Sequence, residues 1–129
     1  MTSRTVWLID DELPIRSVLS RRFESMGYTT HTAASAEQGL ELLEHGLPDA
    51  IVVDLQMPGM TGVEFAMRLS ERVDRSPPIL LLTARSHLAA EDELRTAGIR
   101  RVMVKPFSAR EIVREIELLL ETIDQERVA

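Results

Sequence analysis

The chain has 129 residues, with 15 Lys and Arg against 21 Asp and Glu, a formal charge of -6, 44% hydrophobic residues and no cysteine. That length argues for one domain with a single sizeable core, and the lack of cysteine excludes disulfides, thiolate nucleophiles, zinc fingers and iron-sulfur clusters. The acidic balance argues against direct nucleic-acid binding by this domain, because neutralising phosphates takes a basic surface.

Met1 to Leu8 run straight into Asp10, Asp11 and Glu12, so no signal peptide is expected. No apolar run approaches the roughly 18 residues of a membrane span, and a cytoplasmic protein without a membrane partner is expected. Short apolar runs then alternate with helical patterns. The first run is Val6 to Ile9. Ile15, Leu19, Phe23 and Met26 follow at helical spacing, placing one apolar stripe on a helix that Gly27 closes. After the second run, Tyr28 to Ala33, Ser35 can cap a helix carrying Ala36, Leu40 and Leu43 that ends at His45-Gly46. The third run is Ala50 to Val53, followed by a helix from about Gly62 to Arg72. Ser76-Pro77-Pro78 reads as a loop, since proline cannot donate to a ladder. Ile79 to Leu82, a helix from Ser86 to Ala97, Val102 to Val104, and a helix from Ser108 to about Gln125 complete the chain.

The first, third and fourth runs are apolar throughout, which suits central strands buried on both faces of a parallel sheet. The alternation indicates an α/β domain with helices on both faces and right-handed crossovers. One domain is expected over residues 1–129, with a core of about 4–121 and residues 122–129 as a tail or the start of a linker. In the last helix, Ile112, Ile116, Leu119 and Ile123 have the spacing of a core or coiled-coil seam, too short to claim a coil. Val113, Leu118 and Leu120 then form either a partner surface or scattered exposed apolar residues.

Ligands of open parallel sheets bind beyond the carboxyl ends of the strands. The runs end in Asp10-Asp11, Asp54, Thr83 and Lys105-Pro106. Taken singly, each has a plain structural explanation: an acidic helix cap for Asp10 or Asp11, a turn former for Asp54, a helix-capping strand residue for Thr83, a snorkelling side chain for Lys105. Their conjunction on one edge is harder to explain that way. Clustered carboxylates repel, so they either share a proton or recruit a cation. Mg2+ suits them, with Mn2+ as a substitute, because it takes oxygen ligands from one or two carboxylates and from phosphates. No EF-hand pattern surrounds Asp10 or Asp54, and His31, His45 and His87 have no metal spacing and read as surface residues. A carboxylate beside a divalent cation, an ammonium and a hydroxyl is equipped for phosphoryl transfer, with Asp54 attacking phosphorus to give an acyl phosphate.

The segments Ile9-Asp10-Asp11-Glu12, Val53-Asp54-Leu55-Gln56-Met57-Pro58-Gly59-Met60-Thr61-Gly62, Leu82-Thr83-Ala84-Arg85, Ala97-Gly98 and Val104-Lys105-Pro106-Phe107 stand in this order and spacing. Together they resemble the receiver domain of two-component response regulators over nearly the whole chain. The resemblance implies a flavodoxin-like fold, a five-stranded parallel sheet in order 2-1-3-4-5 flanked by five helices. It implies Asp54 as phosphoacceptor, with a histidine kinase or histidine phosphotransfer protein as donor. Asp11 and Asp54 would ligate Mg2+ directly, Asp10 largely through water, and the Gln56 backbone carbonyl would complete the protein ligands. Thr83, with Ala84 beside it, and Lys105 would bind phosphoryl oxygens, and the Lys105-Pro106 bond would be cis. Gln56 and Arg85 would tune slow self-dephosphorylation. The fourth helix, fifth strand and fifth helix would be the readout face, offered to an output domain, a partner or a second copy.

Val102 departs from the pattern, since receivers often place an aromatic residue there, and coupling through a swinging ring is not expected of it. A haloacid-dehalogenase-like phosphohydrolase would want a second acid where Gln56 stands, and it carries its paired acids last rather than first. A nucleotide or flavin module would want a Gly-rich loop after the first strand. A pseudo-receiver acting as a constitutive interaction module would lack one of the acids, the threonine or the lysine, and none is lost.

Overall fold

Parallel pairing joins five strands into one sheet of order β2-β1-β3-β4-β5. The computed structural model describes residues 3–84 and 91–128. In chain order these hold β1 (Thr5–Ile9), α1 (Leu13–Ser25), β2 (Thr29–Ala33), α2 (Ala36–Glu41) and a 3-10 turn (Leu42–His45). Then follow β3 (Ala50–Asp54), α3 (Gly62–Arg72), β4 (Ile79–Thr83), α4 (Glu91–Thr96), β5 (Ile99–Val104) and α5 (Ala109–Val128).

The continuous apolar runs of β1, β3 and β4 have a direct cause in this order, since all three strands are central and each face must be dry. Alternate residues feed two separate cores. Trp7, Ile9, Ile51, Val53, Ile79 and Leu81 pack against α2, α3 and α4 through Leu40, Phe65, Leu69 and Leu94. Val6, Leu8, Ala50, Val52, Leu80 and Leu82 pack against α1 and α5 through Leu19, Phe23, Ile112 and Ile116. Full burial of a side chain such as Phe23 or Phe65 contributes on the order of 2 kcal/mol.

Local signals set the helix starts. Ser35 accepts from the N–H of Gln38 at 3.1 Å. Thr61 and Glu64 form a reciprocal capping box on α3, and Ser108 and Glu111 form another on α5. Gly27, at φ 94°, closes α1 as expected. Met26 lies past the end of that helix and is exposed rather than part of its buried stripe.

Three further expectations need correction. The fifth strand starts at Ile99 instead of Val102, because it is an edge strand whose Arg100 and Arg101 reach solvent and hide the β pattern. Val113 and Leu120 belong to the core, at 2% and 4% exposure, leaving only Leu118 of that trio at the surface. The cause is that α5 packs against both the sheet and α1, which buries a wider stripe than one contact would. Finally, α5 continues to Val128, with Ile123 buried, Asp124 paired to Arg4 and Glu126 to Arg100. His31 and His45, from different elements, stack with rings 5.5 Å apart and 8° from parallel, a ring contact and not a ligand arrangement. No helix among the described residues is long and apolar enough to cross a membrane. His87 and the expected first turn of the fourth helix from Ser86 lie outside the described residues.

Candidate functional site

The parallel register brings four strand ends to one edge. Ile9 pairs with Val53, which sets Asp10 level with Asp54; Asp54 pairs with Leu82, and Thr83 with Val104, the residue before Lys105. Carboxylate oxygens of Asp10, Asp11 and Asp54 lie within 4.8 Å of one another, the one such cluster among the described residues. Asp10 and Asp54 are each 3% exposed, while Asp11 is open to solvent.

The β1–α1 loop is held tightly. Asp10 Oδ1 accepts from the backbone N–H of Glu12 at 2.9 Å, so Asp10 does act at the start of α1. The Asp10 N–H donates to the Ala33 carbonyl at 3.1 Å, and Arg16 Nη1 donates to the Asp10 carbonyl at 2.6 Å. Arg16 is a residue the sequence does not advertise. Its spacing from Glu12 marks it only as one turn into a helix, and its reach back to the loop is a tertiary fact. On the other side, Gly62 N–H donates to the Leu55 carbonyl at 3.0 Å, and a Cβ at Gly62 would stand 2.5 Å from the Asp54 carbonyl oxygen. The turn after Asp54 therefore needs glycine at Gly62 for close approach, and at Gly59 for a φ of 80°.

Two buried oxygens, Asp10 Oδ2 and Asp54 Oδ1, have no hydrogen-bond partner among the described residues. Lys105 Nζ is 3.9 Å from Asp54 Oδ1, outside hydrogen-bond range. Burial, and then the neighbouring charge of Asp10, push the Asp54 carboxyl up to about 6, against the pull of Lys105. Burial also raises the Asp10 carboxyl. Orphaned, desolvated carboxylate oxygens facing one another are an unfavourable arrangement by themselves. They are a fitting donor set for a hard divalent cation.

Of the remaining expected residues, Thr83 is fully buried at the end of β4 and its carbonyl accepts from the Lys105 N–H at 2.8 Å. Ala84 and Gln56 are exposed beside it and beside Asp54. The Lys105-Pro106 bond is cis. Val102 is 37% exposed on β5. Arg85 lies outside the described residues.

Comparison with known proteins agrees with this architecture. The family model described as the response regulator receiver domain matches residues 6–117. The phosphate regulon transcriptional regulatory protein PhoB of Pseudomonas aeruginosa is 31% identical over 121 residues, covering 93% of this chain and 53% of that protein. Sporulation initiation phosphotransferase F of Bacillus subtilis is 30% identical over 112 residues, covering 87% of this chain and 90% of that protein. The chemotaxis protein CheY4 of Vibrio cholerae superposes with a TM-score of 0.78 at 29% identity, over 90% of this chain and 98% of that one. The chain spans about half the length of the transcriptional regulators it matches. On the residues matched and the sheet order, this chain belongs to the response regulator receiver domains of two-component signalling.

Proposed function

We propose that the chain accepts a phosphoryl group on Asp54 from a phosphohistidine of a histidine kinase or phosphotransfer protein, in a Mg2+-dependent reaction. The observation that carries this reading is the set of three carboxylates within 4.8 Å, two of them buried and each with an orphaned oxygen, beside an ammonium. Asp10, Asp11 and Asp54 would hold the metal, with the Gln56 backbone carbonyl; Mn2+ would substitute. When bound, the cation neutralises phosphoryl oxygens and the acidic cluster.

The protein's own part follows from its residues. An Asp54 carboxylate oxygen forms the new bond to phosphorus while the phosphorus–nitrogen bond breaks, its electron pair leaving on the imidazole, which takes up a proton. A carboxyl at about 6 is largely ionised at neutral pH and so available as nucleophile. Lys105 neutralises an equatorial oxygen and Thr83 donates a hydrogen bond to another. The acyl phosphate carries roughly -1.5 to -2 charge where the Asp54 carboxylate carried one, a net gain of at most about one negative charge, and it brings three acceptor oxygens. Thr83 and Lys105 meet those oxygens in only one state, which biases α4, β5 and α5 toward a second conformation read by an output domain, a partner or a second copy. Val102 replaces the usual ring, so this coupling runs without an aromatic swing. Gln56 and Arg85, which stand two residues after Asp54 and Thr83 in the sequence, tune the lifetime of the modified state.

Mass spectrometry after incubation with Mg2+ and a small phosphodonor tests the reading. One added phosphoryl group, lost in Asp54→Asn and without Mg2+, is expected. An unmodified chain, or an unchanged modification of Asp54→Asn, overturns it.

A further inference from the structure

At the edge opposite the acidic cluster, the loop before β4, the ends of α4 and α5 and the start of β5 enclose a cleft of about 550 Å3. Arg75, Arg95, Arg100 and Arg127 line it, four of the 15 basic residues of an acidic chain, with Glu126 as the one carboxylate among the described lining residues. Arg100 Nη2 donates to Glu126 at 2.9 Å. Arg75, Arg95 and Arg127 make no ion pair among the described residues, so three cations face one cavity uncompensated.

Part of this charge has a local cause. Arg95 and Arg127 stand in the last turns of α4 and α5, where a cation favours the negative end of the helix dipole. Arg100 is held by Glu126, but Arg75, in a loop, has neither a helix end nor an ion pair among the described residues. Gathering Arg75 beside Arg95 and Arg127 adds repulsion that the fold does not need.

We propose that this cleft binds a small oligophosphate anion, free or carried on a nucleoside. Guanidinium groups hold phosphate oxygens through paired, charge-assisted hydrogen bonds. Three spare cations match the charge of a diphosphate, whereas a dicarboxylate leaves one unmatched. The volume falls within the range of small-molecule sites, and Pro78 and Ile123 supply an apolar wall against which a ring can lie. A nucleic-acid strand is disfavoured by the concave shape and by the net charge of -6 on the whole chain.

Titration calorimetry of the whole chain in metal-free, low-salt buffer with pyrophosphate, ADP, an acidic peptide and a short single-stranded oligonucleotide tests this. Expected are saturable one-to-one binding of pyrophosphate that weakens with salt, and about tenfold weaker binding by Arg75→Gln and by Arg127→Gln. Arg110→Gln, at the other end of α5, binds as the parent does. Binding of ADP as well assigns a nucleoside-borne ligand; binding of pyrophosphate alone assigns a free one. Asp54→Asn retains the binding, which separates this site from the phosphoacceptor. Absence of saturable pyrophosphate binding, equal loss in Arg110→Gln, or tighter binding of the peptide or the oligonucleotide overturns the proposal.

Discussion

Lys105 Nζ stands 3.9 Å from Asp54 Oδ1, attracting that oxygen without closing a hydrogen bond on it. The separation keeps the ammonium available to a second acceptor while its charge still favours the ionised carboxyl. Lys105→Met removes both effects. The Asp54 carboxyl moves further above about 6, and phosphoryl acceptance falls about a hundredfold, as for loss of one preorganised charge at a transferring group. Initial rates with a small phosphodonor, with a carboxyl titration of Asp54 by NMR, check this. An unchanged rate removes Lys105 from the reacting centre.

Stability should depend on pH through Asp54. Its folded value is about 6 against 3.8 for the free side chain. Between those values the folded chain holds more proton than the unfolded one, so this contribution is complete below about pH 4 and is lost as pH rises through 6. At pH 7 the buried charge then disfavours the fold by on the order of 2 to 3 kcal/mol in the absence of divalent metal. Asp54→Asn should recover most of that at pH 7 and nothing at pH 4. Denaturant midpoints in chelator at the two pH values decide the matter, and equal stability of parent and variant at pH 7 refutes it.

The three consecutive leucines in the middle of α5 offer a packing test. Leu120 is 4% exposed and joins the core between α5, α1 and the sheet, while Leu118 is 36% exposed. Leu120→Ala should destabilise by about 3 kcal/mol and Leu118→Ala by well under 1 kcal/mol. Urea melts of the two variants give the difference directly. Similar losses for both place Leu118 in the core too.

The central strands are legible in the sequence because burial on two faces leaves no polar position within Val6 to Ile9, Ala50 to Val53 or Ile79 to Leu82. The edge strand β5 was only half legible, since Arg100 and Arg101 sit where one side is wet. Helical periodicity found the seam of Ile112, Ile116, Leu119 and Ile123, yet it cannot tell how many partners a helix touches, so Val113 and Leu120 were misread. The acidic site was legible because each of its residues ends a strand or follows one, and parallel topology collects such ends. Strand order itself came from resemblance, since periodicity does not order strands. Arg16 and the arginine cleft escape a linear reading for the same reason. Residues 75, 95, 100 and 127 share no window and meet only after the crossovers close.

Gly62 links the packing of α3 to the acidic site. A Cβ there would meet the Asp54 carbonyl oxygen at 2.5 Å and Leu81 Cδ1 at 2.9 Å, and the first is backbone of a central strand that has nowhere to move. Gly62→Ala should therefore cost about 1 to 3 kcal/mol through overpacking and displace the loop that carries Gln56. Gly46→Ala is the control for the site, because Gly46 has nothing within 4 Å of an added Cβ and suffers only backbone strain, on the order of 1 to 3 kcal/mol at φ 88° and ψ 174°. Because the displaced loop follows Asp54 directly, Gly62→Ala should also weaken the thermal stabilisation by Mg2+, which Gly46→Ala leaves intact. Melting curves with and without millimolar Mg2+ read both effects. A Gly62→Ala protein that melts like the parent and keeps its full Mg2+ shift shows that the turn can open without cost to the site.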